Sequence, residues 1–200
     1  FVAEAAPATD VVDVGGGVGV RYTDGDEAPD IRRFVVDVAR GAADAFRRHG
    51  LPVPELVLEP GRSLVAQAGV TLYTVRAVKT TADGTTYVAV DGGMADNPRV
   101  SLYGGRYHPV LATRMDAAPS GRYSVAGRHC EEGDQLAHDV PLPEPAVGDV
   151  IAVPMTGAYH QAMATTYNLF ARPAAVLVRD GAARVITRRE TVADLLAREA

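Results

Sequence analysis

Glu59, Pro60, Gly61 and Arg62 interrupt an apolar run, residues 56–58, with a carboxylate, a rigid turn, a bare glycine and a guanidinium. Pro60 fixes the turn, Gly61 leaves its amide open, and Arg62 adds a permanent cation that can grip an anion through two parallel hydrogen bonds. A surface turn with a Glu–Arg ion pair is the plainer reading. A second segment, Gly15-Gly16-Gly17, carries amides that no Cβ shields, which suits an anion site as well as it suits a simple turn. A dinucleotide-binding loop fits poorly, because RYTDGDEAPD and not a helix follows the glycines.

A third segment, His129-Cys130-Glu131-Glu132-Gly133-Asp134, holds the one cysteine of the chain in a polar loop. Lone cysteines are usually small buried hydrophobes. Here the neighbouring carboxylates favour a neutral thiol, a proton donor rather than a resting nucleophile. Metal ligation is not expected, since one Cys and scattered His lack ligand spacing. Arg99 and Tyr103 stand four apart in PRVSLYGG, so on a helix they share a face, to bind a carboxylate or to cap a loop. Tyr159, after Gly157-Ala158, is either a half-buried aromatic or a hydroxyl donor to a ligand.

The elements that position these segments follow from periodicity. Residues 10–14, DVVDV, read as a buried strand entering the glycine triplet. Pro29 starts a helix in which Ile31, Phe34, Val35, Val38, Ala42, Ala45 and Phe46 recur at helical spacing, and Gly50 ends it. A strand over residues 55–58 follows. This strand–helix–strand order is a βαβ unit, whose ligand side is the carboxyl end of its strands. The glycine triplet and EPGR therefore face one side. One such unit cannot cover its own sheet, so residues 1–66 look like the last piece of something larger. From residue 67 the pattern is mostly β: VTLYTVRAVK alternates, Asp83-Gly84 marks a hairpin turn, and short apolar segments continue to TVADLLARE, a helix with Thr191 as N-cap. The expected fold class is α/β plus β, with a mostly antiparallel second part.

The 200 residues, 47% hydrophobic and 22% charged, are ordinary for a soluble globular protein. No apolar run approaches the roughly 20 residues that cross a bilayer, and FVAEAAPATD has no signal-peptide pattern. The single cysteine fits a reducing compartment, hence a cytoplasmic location. A formal net charge of −5 gives no reason to expect nucleic-acid binding.

In their order along the chain, GGG, EPGR, DNPRVSLYGG, HCEEGD and GAY resemble the fold-type III decarboxylases that use pyridoxal phosphate, diaminopimelate decarboxylases in particular. The resemblance covers essentially the whole sequence. It implies the final part of a TIM-type α/β barrel, residues 1–66, followed by a β domain, residues 67–200. It also implies roles. Gly16, Gly17, Glu59, Pro60, Gly61 and Arg62 would bind the cofactor phosphate. Arg62, Arg99 and Tyr103 would hold a substrate carboxylate, and Glu131 the far amino group of meso-diaminopimelate. Tyr159 would contact both cofactor and substrate. Cys130 would return a proton after carbon dioxide departs. In the family the Cys–Glu loop enters the other subunit's site, which implies a homodimer.

Two features depart from the family. Cofactor attachment needs a lysine, and the one lysine, Lys79, falls in an alternating strand, so an inactive fragment is expected. Glu132 stands where the family more often has a small residue, which leaves room for an arginine, ornithine or carboxynorspermidine decarboxylase. A non-catalytic cofactor-binding or dimerisation module is the alternative from another class.

Overall fold

The structure, a computed structural model, describes residues 2–199. Backbone contacts divide the chain into two compact units, the first ending at Ala66 and the second beginning at Gln67.

The first unit is built on two parallel strands, β1 (Val11–Asp13) and β2 (Glu55–Val57), in register Val11 to Glu55 and Asp13 to Val57. A single short turn, α1 (Val2–Ala5), precedes β1, and between the two strands, after a loop, runs the 18-residue helix α2 (Ile31–Arg48). Asp30, one residue beyond the expected Pro29, is the N-cap: its carboxylate accepts from Arg32 N at 2.8 Å and Arg33 N at 3.2 Å. The side chain satisfies amides that the first turn leaves open. Arg47 and Arg48 sit in the last turn, where cations suit the helix dipole. Gly50 then turns left-handed at φ +67°. Gly50 N donates to Arg47 O and Leu51 N to Phe46 O, the bond pair of a Schellman stop.

The expected burial of β1 is not found. Val11 is 49% exposed, and α2 contains no buried residue, with Ile31, Val35 and Val36 all exposed. Among the described residues this unit holds one long helix and a two-stranded sheet, too little to cover both faces of a parallel sheet. β2 also ends one residue earlier than the sequence suggests, at Val57.

The second unit has its own core. Six strands, β3 (Val70–Thr80), β4 (Thr86–Val90), β5 (Val110–Leu111), β6 (Gly121–Ala126), β7 (Gln135–Leu142) and β8 (Val150–Pro154), form one curled mixed sheet in the order β5-β8-β3-β4-β6-β7. All neighbours are antiparallel except β4 and β6, which are parallel. β3 is the pivot. Its first half, Val70–Thr74, pairs with β8, and from Val75 it pairs with β4, with a bulge between Val75 and Ala77. Strands bend and twist more strongly at a bulge, which curls the sheet there. The hairpin between β3 and β4 closes with Gly84 at φ +89°, and Thr81 N donates to Thr85 O.

Alternation puts Tyr73 and Val75 of β3, Val88 and Val90 of β4, and Val125 of β6 inside with Leu136, Leu142, Ile151 and Val153. A separate hairpin, β9 (Ala175–Arg179) with β10 (Ala182–Thr187), has exposed apolar residues including Val178 and Val185. The chain closes with α5 (Val192–Leu196), where Thr191 and Asp194 form a reciprocal capping box.

Ile151 is fully buried. Ile151→Ala lowers the unfolding free energy by about 2–5 kcal/mol, from lost transfer energy plus the cavity left behind. Val178→Ala on the exposed hairpin changes it by less than about 0.5 kcal/mol. Urea unfolding followed by circular dichroism compares the two.

Candidate active site

In the first unit, the glycine triplet leaves β1 and EPGR leaves β2 at adjacent strand ends. Gly15 and Gly17 have φ of +71° and +86°, a region that glycine enters without penalty. Glu59 N donates to Gly15 O at 2.8 Å, which ties the two turns together. A Cβ on Gly16 would collide with the backbone carbonyl of Glu59, so no larger residue fits there without a shift. Gly61 N donates to Glu59 O at 2.9 Å, and Pro60 caps the short helix α3 (Gly61–Val65), which carries Arg62 in its first turn. Gly16, Gly17, Glu59, Pro60, Gly61 and Arg62 thus form one local assembly.

The other candidate residues lie in the second unit. Arg99 and Tyr103 open and close the short helix α4 (Arg99–Tyr103), which Gly104 ends in the left-handed region. Arg99 Nη1 donates to the Tyr107 hydroxyl at 3.3 Å, and its guanidinium lies 5.9 Å from the centre of that ring. Tyr107 is buried and meets the His160 ring edge-on at 5.8 Å. His160 follows Tyr159, which is itself left-handed at φ +60° and 43% exposed. Arg99 and the Tyr159 turn are therefore linked through Tyr107 and His160, neither of which the sequence singled out. Burial, helped by the Arg99 charge, holds the His160 imidazole down at about 4.

Cys130 and Glu131 are exposed, but the loop beneath them is anchored. The buried Asp134 carboxylate accepts from His129 N at 2.7 Å and Met94 N at 2.6 Å, and pairs with His129 Nδ1 at 2.9 Å. Cβ atoms at Gly93 or Gly127 would run into that carboxylate. Ser101 Oγ of α4 donates to Gly133 O at 2.7 Å, so the helix bearing Arg99 and Tyr103 is tied to the Cys–Glu loop. Tyr167 donates its hydroxyl to Glu131 Oε2 at 3.0 Å. Like Tyr107 and His160, the supporting roles of His129, Asp134 and Tyr167 were not read from the sequence. His129 and Asp134 bracket the HCEEGD motif, and that position was the available signal. Lys79 is exposed on β3, opposite Tyr87 of β4, as an ordinary strand lysine. No cluster of three or more metal-ligating side chains occurs among the described residues.

The family model described as "Pyridoxal-dependent decarboxylase, C-terminal sheet domain" matches residues 9–157. The chain belongs to this family. The matched span takes in the glycine triplet, EPGR, α4 and HCEEGD, and stops at Gly157, so Tyr159, His160 and Tyr167 lie beyond it. Among curated members, the diaminopimelate decarboxylase of Actinosynnema pretiosum subsp. auranticum is 51% identical over all of this chain and 45% of its own length. That of Synechocystis sp. is 46% identical over 92% of this chain and 39% of its own. A crystal structure of diaminopimelate decarboxylase from M. jannaschii in complex with L-lysine superposes with a TM-score of 0.84 and 34% identity, over 96% of this chain and 43% of that one. The chain spans less than half the length of these decarboxylases.

His160 gives a pH test. Its folded value, about 4, lies below the ordinary value near 6.5, so protons bind the unfolded chain more readily. Its contribution is fully present above pH 6.5 and is lost as pH falls toward 4. Between pH 7 and 4 the wild type loses on the order of 2–3 kcal/mol more than His160→Gln, measured as urea unfolding free energies.

Proposed function

We propose that this chain is the carboxy-terminal part of a pyridoxal phosphate-dependent decarboxylase that converts meso-diaminopimelate to L-lysine and carbon dioxide. The single observation that carries this reading is the 51% identity, across the full chain, to a diaminopimelate decarboxylase. Residues up to Ala66 then form the end of the TIM-type barrel. The rest of that barrel covers the bare faces of β1 and α2.

The cradle suits the cofactor phosphate. Gly17 leaves open space for close approach, while Gly16 lets the Glu59–Gly61 turn, which runs into Arg62, pack against the triplet. Held there, the cofactor would supply an electron sink for the substrate's reacting carbon. The chain's own residues do the rest. Arg62, Arg99 and Tyr103 hold carboxylate, and Tyr159 bridges cofactor and substrate. Glu131 takes the distal ammonium, and a substrate charged at both ends needs both kinds of group. Cys130 holds a proton at Sγ and delivers it to the carbon that carbon dioxide has left. The Cys130–Glu131 loop completes the site of a second subunit in a homodimer.

The exposed Lys79 does not fit as the cofactor's attachment point, so the lysine lies outside these 200 residues. That observation favours a second reading for the chain taken alone, a cofactor-binding or dimerisation module without turnover. The 200-residue chain shows no release of carbon dioxide from meso-diaminopimelate. Borohydride reduction with pyridoxal phosphate, followed by peptide mapping, leaves Lys79 unmodified. Turnover or a stoichiometric Lys79 adduct overturns the assignment. In the full-length enzyme, Arg99→Ala lowers kcat/KM for meso-diaminopimelate by about 100-fold, the loss of a charge-assisted bond. The loss is smaller for an amino acid without a distal carboxylate. Equal losses on both substrates point instead to an arginine- or ornithine-type enzyme.

A further inference from the structure

Glu131 sits on an exposed loop with a long carboxylate side chain, and such a side chain loses rotamer freedom whenever it is held in one geometry. A recognition carboxylate is effective only if something holds it before the substrate arrives. The structure contains such a support. The Tyr167 hydroxyl donates to Glu131 Oε2 at 3.0 Å. The Tyr167 ring in turn lies 5.7 Å from the His129 ring, and the Phe170 ring meets the same imidazole edge-on at 5.1 Å. Arg128 caps the stack, with its guanidinium 4.0 Å from the Phe170 centroid.

Two rings only three residues apart reach one imidazole because the chain between them turns sharply. Asn168 and Leu169 are both left-handed, at φ +54° and +59°. For residues with a Cβ this conformation costs about 1–2 kcal/mol each, and it persists where surrounding contacts over-determine it. The base of the stack is rigid, because His129 is held by the buried Asp134 through both its backbone amide and its ring. The segment is also tied to the loop before α4 by Thr165 N donating to Ala95 O at 2.8 Å.

We infer that Tyr167 is a specificity-determining positioning residue: anchored on the His129–Asp134 pair, it fixes the Glu131 carboxylate in the orientation that receives the distal ammonium of the substrate. The inference rests on the proposed role of Glu131. Tyr167 acts through Glu131 and takes no part in the proton transfer at Cys130, so its removal weakens binding rather than turnover.

The test uses the full-length holoenzyme, with Tyr167→Phe, Glu131→Gln and the double variant. Tyr167→Phe removes one oxygen and keeps the ring on His129, so the fold is spared. The expected result is a rise in KM for meso-diaminopimelate of on the order of tenfold, with kcat within about threefold. In the Glu131→Gln background the same change adds less than about twofold. An additive effect, an unchanged KM or a selective loss of kcat overturns the inference.

A second readout is independent of turnover. Hydrogen bonding to Glu131 and the Glu131 charge raise the Tyr167 phenol above its ordinary value. Nitration by tetranitromethane needs the phenolate, so peptide mapping finds Tyr167 nitrated about threefold faster or more in Glu131→Gln than in wild type. Equal rates show that the contact does not form, and overturn the inference. If Glu131→Gln leaves KM unchanged while nitration accelerates, the contact is real but Glu131 does not read the substrate. The recognition reading then falls, and the specificity role of Tyr167 falls with it.

Discussion

One buried carboxylate, that of Asp134, ties together the loops that carry the second unit's candidate residues. Asp134 is 4% exposed, and an ion in that position is tolerable only when its oxygens are fully engaged. Its three partners come from two separate stretches of chain, the loop before α4 and the start of HCEEGD itself. Removing any of them leaves a charge in a low-dielectric interior, which costs far more than the bond is worth in water. The two glycines packed against it, Gly93 and Gly127, exist because the carboxylate fills the space where their side chains would be. Through this one group the loop that displays Cys130 and Glu131 is held in register with the loop that leads into Arg99.

The first unit obeys the opposite logic. Its geometry comes from backbone bonds between two short parallel strands and from a well-capped helix, and side-chain burial contributes little among the described residues. The glycine triplet and EPGR are brought together by strand register and by one carbonyl that forbids a Cβ. A cradle made of main chain tolerates loss of its surroundings better than one made of side chains. The local shape of such a turn is set within a few residues.

The same contrast explains what was legible in the sequence. Features encoded by neighbours in the chain were readable: the strand–helix–strand order, the stop at Gly50, the turn at Gly84 and the Thr191 cap. So was the mostly β character after residue 67, although the parallel pairing of β4 with β6 was not. Contacts set by distance in space were not readable. Nothing local marks Tyr107 as the partner of Arg99, or links Met94 to Asp134 forty residues on. Asp134 and His129 stand at the two ends of HCEEGD, and nothing in that local sequence says which of its polar groups turns inward. The expected burial of β1 was not found among the described residues, because an apolar run is silent on what covers it.

β3 shares its length between two partners, β8 for its first half and β4 for its second, with the change made at Val75. Side chains in a strand alternate faces with period two, so one added residue would reverse every position downstream of it. Within β3 such an insertion would disturb two pairings at once and expose Val75 or Tyr73 to water. At residues 81–85, by contrast, the chain doubles back through an exposed hairpin whose strands are already registered by their own bonds. Extra residues there lengthen a loop at small entropic expense. The sheet thus divides its own sequence into stretches of fixed length and stretches of free length. Tags or fused domains belong at the exposed tip near Asp83, outside the core.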